Sequence, residues 1–337
     1  MRIVAYRQSL PITAPEALLD AEAETPVPTG RDLLVAVKAV SVNPVDTKVR
    51  RNVDPAGALK QLGYDAAGVV LAAGPEASLF QPGDAVFYAG ALDRPGTNAE
   101  FHLVDERIVG HKPASLDFPA AAALPLTAIT AWELLFDRLG LEPSAAESRS
   151  VLIVGAGGGV GSIAIQLVRA LTGATVIATA SRPETADWCR AMGAQHVIDH
   201  SQPFLPQLQA LGLPAVEMAL GLNASDQHAA QIAESLAPQG RFGLIDDPAE
   251  LDIKLFKRKS VSIHWEFMFT RSLFKTADMI AQHQLLNRVS ELVDQGKLRS
   301  TLADSLGCIN AANLKTAHAL LESGKTKGKL VLAGFGS

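Results

Sequence analysis

A chain of 337 residues, 48% hydrophobic and 19% charged, carries more apolar sequence than one ordinary core absorbs, so two domains are expected. A net charge of −5 without a basic run argues against nucleic acid and against a membrane surface as partners. Two cysteines, Cys189 and Cys308, exclude a disulfide framework and a four-cysteine zinc site. With no signal segment in MRIVAYRQSL and no apolar run of membrane-spanning length, the reading is a cytoplasmic protein.

The N-terminus reads as a strand and opens a β-rich stretch that runs to residue 124. LLVAVKAVSV (33–42) and AAGVVLAAG (66–74) are apolar, β-branched and bounded by turn residues, while Pro82-Gly83-Asp84 and Arg94-Pro95-Gly96 mark tight turns. Short strands at this spacing suggest a compact barrel-like module. FPAAAALPLTAITAWELLFDRLGL (118–141) is helical in pattern, with a break at Pro125. VLIVG (151–155) is the continuous apolar run of a parallel strand buried on both faces.

TVIATA (175–180), VID (197–199), AVEMAL (215–220) and RFGLI (241–245) continue the strand series. Helices at 162–171, 183–192 and 226–237 alternate with them, the second bounded by Pro183 and Gly193. That succession predicts an α/β fold with a doubly wound parallel sheet. An amphipathic helix over 276–295, a shorter one over 311–322 and a final strand KLVLAG (329–334) return to the first module. The expected domains are therefore 1–124 with 267–337, and an inserted 125–266.

VLIVGAGGGVG (151–161) places Gly155, Gly158 and Gly161 three apart between a strand and a helix. The first permits a tight turn, the second lets the backbone approach a pyrophosphate, and the third lets the helix pack close to the sheet. Helix N-terminal amides, with Gly159 and Val160 at the turn, then hold the phosphates. NAD-selective sites place an acid about 20 residues on. Here that region reads ATASRP (178–183), where Ser181 and Arg182 suit a 2′-phosphate, so NADP(H) is the expected cofactor.

SVNPVDT (41–47), GYDAAGVV (63–70), PGDAV (82–86), AALPLTAITAW (122–132), the glycine turn and GKLVL (328–332) occur in one ordered series. In these motifs the chain resembles the zinc-independent medium-chain dehydrogenase/reductase proteins, in the quinone oxidoreductase (ζ-crystallin-like) group. HWEFMFTRS (264–272) resembles a subgroup often labelled zinc-type alcohol dehydrogenase-like. The resemblance implies a GroES-like catalytic domain with an inserted Rossmann domain, an active cleft between them, and a homodimer or homotetramer. Zinc-dependent members use a cysteine, a histidine with adjacent glutamate, and a further cysteine or acid. At the matching places this chain has Asn43 and Tyr64-Asp65, and neutral amide and phenol are poor zinc ligands, so no metal is expected.

The resemblance also assigns roles. Asn43 faces nicotinamide and substrate, although Asn before Pro44 is also good turn chemistry. Tyr64 offers a phenol to the oxygen that gains charge, with a packed aromatic as the alternative. Thr127 lies beside the nicotinamide as a catalytic and cofactor residue. Asp46 is read either as orienting a neighbour or as capping a helix. Phe267, Met268 and Phe269 lie near the substrate, with core or dimer packing as the alternative; His264 and Trp265 read as core. Gly243 and Lys329 complete the expected cofactor contacts. The resulting expectation is an NADPH-dependent reductase of quinones or other α,β-unsaturated carbonyls. An enoyl-thioester or alkenal reductase and an NADPH-binding structural protein are the alternatives.

Overall fold

The computed structural model describes residues 1–143 and 149–336. The chain divides into two compact units, Met1–Ile129 with Phe269–Ser337, and Thr130–Met268. Strands β1 (Arg2–Tyr6), β2 (Leu19–Glu22) and β3 (Asp32–Val42) come first, and helix α1 (Pro44–Asn52) follows. Next are β4 (Lys60–Gln61), β5 (Ala66–Ala73), β6 (Ala85–Tyr88), β7 (Phe101–Asp105), β8 (Val109–His111) and α2 (Phe118–Ala122). Helix α3 (Pro125–Trp132) crosses into the second unit and widens into a π-helical turn over Glu133–Arg138.

The second unit then alternates: β9 (Ser150–Val154), α4 (Gly159–Leu171), β10 (Thr175–Thr179), α5 (Pro183–Met192), β11 (His196–Ile198) and α6 (Phe204–Ala210). It continues with β12 (Val216–Gly221), α7 (Ser225–Ser235), β13 (Leu236–Leu244), α8 (Lys254–Lys257) and β14 (Ser262–Trp265). The chain returns to the first unit with α9 (Thr270–Leu273), α10 (Ala281–Asp294), β15 (Leu302–Ser305), α11 (Ala311–Glu322) and β16 (Lys329–Ala333).

β3 organises the first unit because it is long enough to be shared. Its first half pairs β7 and its last four residues pair β16, while β5 runs along the other edge. The antiparallel register sets Leu330 opposite Val42, which brings the C-terminal strand to the start of α1. The second unit is a six-stranded sheet, parallel throughout, in the order β11-β10-β9-β12-β13-β14. Apolar runs such as VLIVG pack on both faces; Leu152, Ile177, Ala219, Ile232 and Phe242 are all buried. Burying each large side chain contributes about 1.5–3 kcal/mol.

Three expectations change. β14 is a sixth strand that composition did not mark, because SIHW is short and polar at one end. It is the outer strand, so Trp265 is 55% exposed and His264 half-buried, where both were read as core. The helical stretch Phe118–Arg138 is long and apolar enough to cross a membrane by length and composition, contrary to the reading of no such run. However, 78% of its apolar window is buried inside the protein, which marks a core helix.

Candidate active site

Strand order reverses between β9 and β12: β9 leads through α4 toward β10, and β12 through α7 toward β13. The connections diverge at the carboxyl ends of these two strands, where doubly wound sheets bind nucleotides. The glycine turn lies at this point. Gly155 takes φ +83°, which favours glycine, and a Cβ on it would lie 3.3 Å from Leu222 and 3.4 Å from Asn223, just past β12. Thr179, the last residue of β10, ties the turn to the neighbouring strand by accepting the Gly155 N–H at 3.4 Å.

The other two glycines have different tasks. A Cβ on Gly161 would sit 2.4–2.6 Å from the Ala156 backbone, so only glycine lets α4 start this close to the turn. A Cβ on Gly158 would meet only the Gly155 carbonyl, at 3.6 Å, and its φ of −74° suits any residue. The fold therefore does not need glycine at 158, and the open space there leaves room for a phosphate to approach the backbone. Gly158 precedes α4 as its N-terminal cap, with no side-chain cap bond and no acid in the first turn of the helix. Its leading N–H groups, at Gly159, Val160 and Gly161, and its positive dipole end can serve an anion. Ser181 and Arg182 are exposed just past β10, with Arg182 heading α5. These residues fit a dinucleotide with a 2′-phosphate.

Gly243 has a packing task in the second unit. It is buried in β13, where a Cβ would lie 2.6 Å from Leu134 Cδ1 and 3.2 Å from Leu139. Its missing side chain lets the π-helical turn and the segment after it pack on the sheet.

In the first unit, β3, β5 and β16 deliver polar groups to one buried point. Lys329 Nζ donates to Asp65 Oδ2 at 3.0 Å, to the Val42 carbonyl at 3.2 Å, and to Asn43 Oδ1. Asn43 Nδ2 donates to Asp65 Oδ2 at 2.8 Å, and Asp65 Oδ1 accepts the Leu126 N–H at 2.8 Å. Asn43, Asp65 and Lys329 are 1%, 0% and 3% exposed. Burial pushes the Asp65 carboxyl up, while the ammonium, the amide and the N–H it accepts from pull it back. Asp46 caps α1 by accepting the Asn43 N–H at 2.8 Å, and its other oxygen accepts the Gly63 N–H at 2.9 Å. Burial raises its pKa to about 7.

Lys329 and Asn43 thus hold each other rather than reaching outward. An ammonium has three protons, and Val42, Asn43 and Asp65 receive them. The Asn43 amide is engaged on both sides, with the Ser41 and Tyr64 carbonyls also 3.4 Å from its nitrogen. Each therefore positions the other inside the cluster. Thr127 is 2% exposed and donates to the Leu124 carbonyl at 3.0 Å. Tyr64 meets Phe269 edge-on, with ring centroids 5.5 Å apart. Burial, with Asp46 and Tyr6 nearby, pushes the Tyr64 phenol up, so it stays protonated as a donor.

The structure therefore brings together Asn43 with Lys329, and Tyr64 with Phe269. The glycine turn, Ser181, Arg182, Gly243 and Phe267 belong to the second unit, where Phe267 is 48% exposed. Sequence reasoning missed Asp65 as the hub and Leu222–Asn223 as the far wall of the turn. An acid inside the apolar GYDAAGVV motif, and a lysine heading an apolar C-terminal strand, were the available signal for the first.

These donors do not fit zinc. Asp65 already accepts an ammonium, an amide and a backbone N–H, and its neighbours offer a neutral amide and a neutral phenol. A divalent cation would have to share one carboxylate with Lys329 at hydrogen-bonding distance, which charge repulsion opposes. Among the described residues, no group of three or more His, Cys, Asp or Glu is arranged to hold a metal.

Residues 29–114 match the alcohol dehydrogenase GroES-like domain family, and residues 192–332 match the zinc-binding dehydrogenase family. The chain is 37% identical over 335 residues to a zinc-type alcohol dehydrogenase-like protein of Staphylococcus aureus, covering 98% of this chain and 99% of that protein. A crystal structure of a putative zinc-dependent alcohol dehydrogenase protein from Rhizobium etli superposes with a TM-score of 0.97 at 60% identity, covering 100% of this chain and 99% of that one. The quinone oxidoreductase of Pseudomonas syringae superposes at 0.83 with 26% identity, covering 98% and 99%.

A GroES-like unit joined to a doubly wound dinucleotide-type unit, with relatives matched end to end, defines an oxidoreductase. The chain belongs to the medium-chain dehydrogenase/reductase superfamily, among its zinc-type alcohol dehydrogenase-like proteins.

Proposed function

We propose that this oxidoreductase uses NADPH to reduce quinones or other α,β-unsaturated carbonyls and needs no zinc. The observation that carries the reading is chemical: an ammonium and a neutral amide stand around Asp65 where metal chemistry would need thiolate or imidazole. Without a Lewis acid, a plain carbonyl lacks its usual polarisation, so an intrinsically electron-poor acceptor is the better substrate. The P. syringae relative is a quinone oxidoreductase by name, which supports the same acceptor class.

Bound NADPH supplies a hydride from its nicotinamide; the protein supplies orientation, polarity and exclusion of water. Gly158 and the start of α4 hold the pyrophosphate, and Ser181 and Arg182 hold the 2′-phosphate. Tyr64 donates a hydrogen bond from its neutral phenol to the acceptor oxygen, while Lys329 and Asp65 keep the Asn43 side of the site rigid. A homodimer or homotetramer is the assembly that accompanies this reading.

Arg182→Ala is expected to lower NADPH affinity ~10–100-fold and leave NADH affinity unchanged, since one charge-assisted contact is worth about 1.5–3 kcal/mol. Fluorescence titration with both dinucleotides checks this, and an unaltered preference would remove the 2′-phosphate assignment. Tyr64→Phe is expected to reduce kcat on a quinone by about 10²-fold with KM little changed. Equal turnover in steady-state assays would assign Tyr64 to packing alone.

A further inference from the structure

Helix α5 meets the glycine turn through side chains that the cofactor contacts above leave unused. A Cβ on Gly157 would lie 2.3 Å from Thr185 Cγ2, so α5 packs directly on the turn. Three residues on, along the same helix face, the Trp188 indole Nε1 donates to Ser162 Oγ at 2.8 Å. Ser162 is the fourth residue of α4 and is fully buried. Its Oγ donates to the Gly158 carbonyl at 2.7 Å, and the same carbonyl accepts the Ser162 N–H at 2.9 Å.

The direction of each bond is forced by the groups that make it. An indole N–H only donates, so Ser162 Oγ accepts it; a carbonyl only accepts, so the single hydroxyl proton goes to Gly158. A trans peptide is planar, with its C=O and N–H pointing opposite ways. Two bonds draw the Gly158 oxygen down the helix, so the N–H of the same peptide, that of Gly159, points out beyond the start of α4. Gly159 is the first residue of α4, and its N–H has no acceptor within the helix. The bonds thus run one way, from Trp188 through Ser162 and the Gly158 carbonyl to the Gly159 N–H. Hydrogen bonds joined in series polarise one another.

We propose that Trp188 and Ser162 are positioning residues for the dinucleotide: they aim and polarise the Gly159 N–H as a donor to the pyrophosphate oxygens. The proposal rests on the NADPH reading above. NADPH and NADH share the pyrophosphate, so the pair strengthens the binding of both alike, whereas Arg182 acts on the 2′-phosphate alone. Helix α5 then serves both phosphate subsites, with Arg182 at its head and Trp188 further along it.

The test measures binding of NADPH, NADH and adenosine 2′-monophosphate to the full-length protein and to Trp188→Phe, Ser162→Ala and the double variant. Amide spectra of isotope-labelled protein follow Gly159 in each NADPH complex. Each single variant should weaken NADPH and NADH by the same ~3–10-fold, the worth of one net hydrogen bond. Adenosine 2′-monophosphate, which lacks the pyrophosphate, should bind as it does to the wild type. The double variant should bind no more weakly than the weaker single variant, because the two groups act in series. The Gly159 amide proton, moved downfield by NADPH in the wild type, should move less in every variant. Trp188→Phe keeps an aromatic ring at a half-buried place, so it tests the donor even where Ser162→Ala does not fold. Unchanged NADPH affinity or an unchanged Gly159 shift in Trp188→Phe overturns the proposal, as do simply additive losses or an equal loss for adenosine 2′-monophosphate. Wild-type protein that binds neither dinucleotide would remove the NADPH reading, and the relay with it.

Discussion

Lys329→Met is expected to lower the stability of the protein by about 3–5 kcal/mol at neutral pH, the usual cost of leaving one member of a buried ion pair alone. The ammonium satisfies three acceptors at once, so its loss strips Asp65, Asn43 and the Val42 carbonyl together. The penalty should fall on Asp65 above all, since it is fully buried and has Lys329 as its cation. Adding Asp65→Asn to Lys329→Met should then recover part of the loss, because no uncompensated charge is left inside. Thermal denaturation followed by circular dichroism reads both steps. A loss below about 1 kcal/mol in the single variant, the level of an exposed pair, would show that Lys329 does not hold this cluster together.

The second large effect separates two glycines that look alike in sequence. Gly158→Ala should leave the fold intact, since a methyl there meets only one carbonyl, at 3.6 Å, in an ordinary conformation. It should nevertheless weaken dinucleotide binding ~10–100-fold, because the methyl fills the space where the phosphates approach; overpacking of this kind costs about 1–3 kcal/mol. Gly161→Ala should do the reverse in kind. Its methyl would collide with the Ala156 backbone at 2.4 Å, so the second unit should lose about 1–3 kcal/mol or more of stability. Equal binding by the 158 variant, measured by calorimetry with NADPH, would contradict the approach of a phosphate there.

The parallel sheet was legible because its strands are continuous apolar runs separated by helices with clear stops, as at Pro183 and Gly193, which bound α5 as expected. The glycine turn was legible because its spacing is a backbone requirement written directly into residue type. β14 was not, since SIHW lies at the sheet edge, where one side faces solvent and the apolar pattern is diluted. The same cause undid the core reading of Trp265. The polar cluster was only half legible. Asn43, Tyr64 and Lys329 stood out by family position, but their partners depend on the register of β16 against β3, which no local pattern encodes. The register that pairs Leu330 with Val42 makes Lys329 the cation of Asp65. The packing need for glycine at 243 was illegible for a similar reason: what excludes a side chain there is Leu134, more than 100 residues earlier.

The central claim is metal-free reduction with NADPH, and one assay addresses it most directly. Protein stripped of metal with a chelator, and checked by metal analysis, is given NADPH or NADH with an ortho-quinone, and oxidation is followed at the nicotinamide absorbance band. The predicted result is turnover with NADPH in clear excess over NADH, at the same rate before and after stripping. One zinc per chain, with activity lost on its removal and restored on its return, would contradict the account.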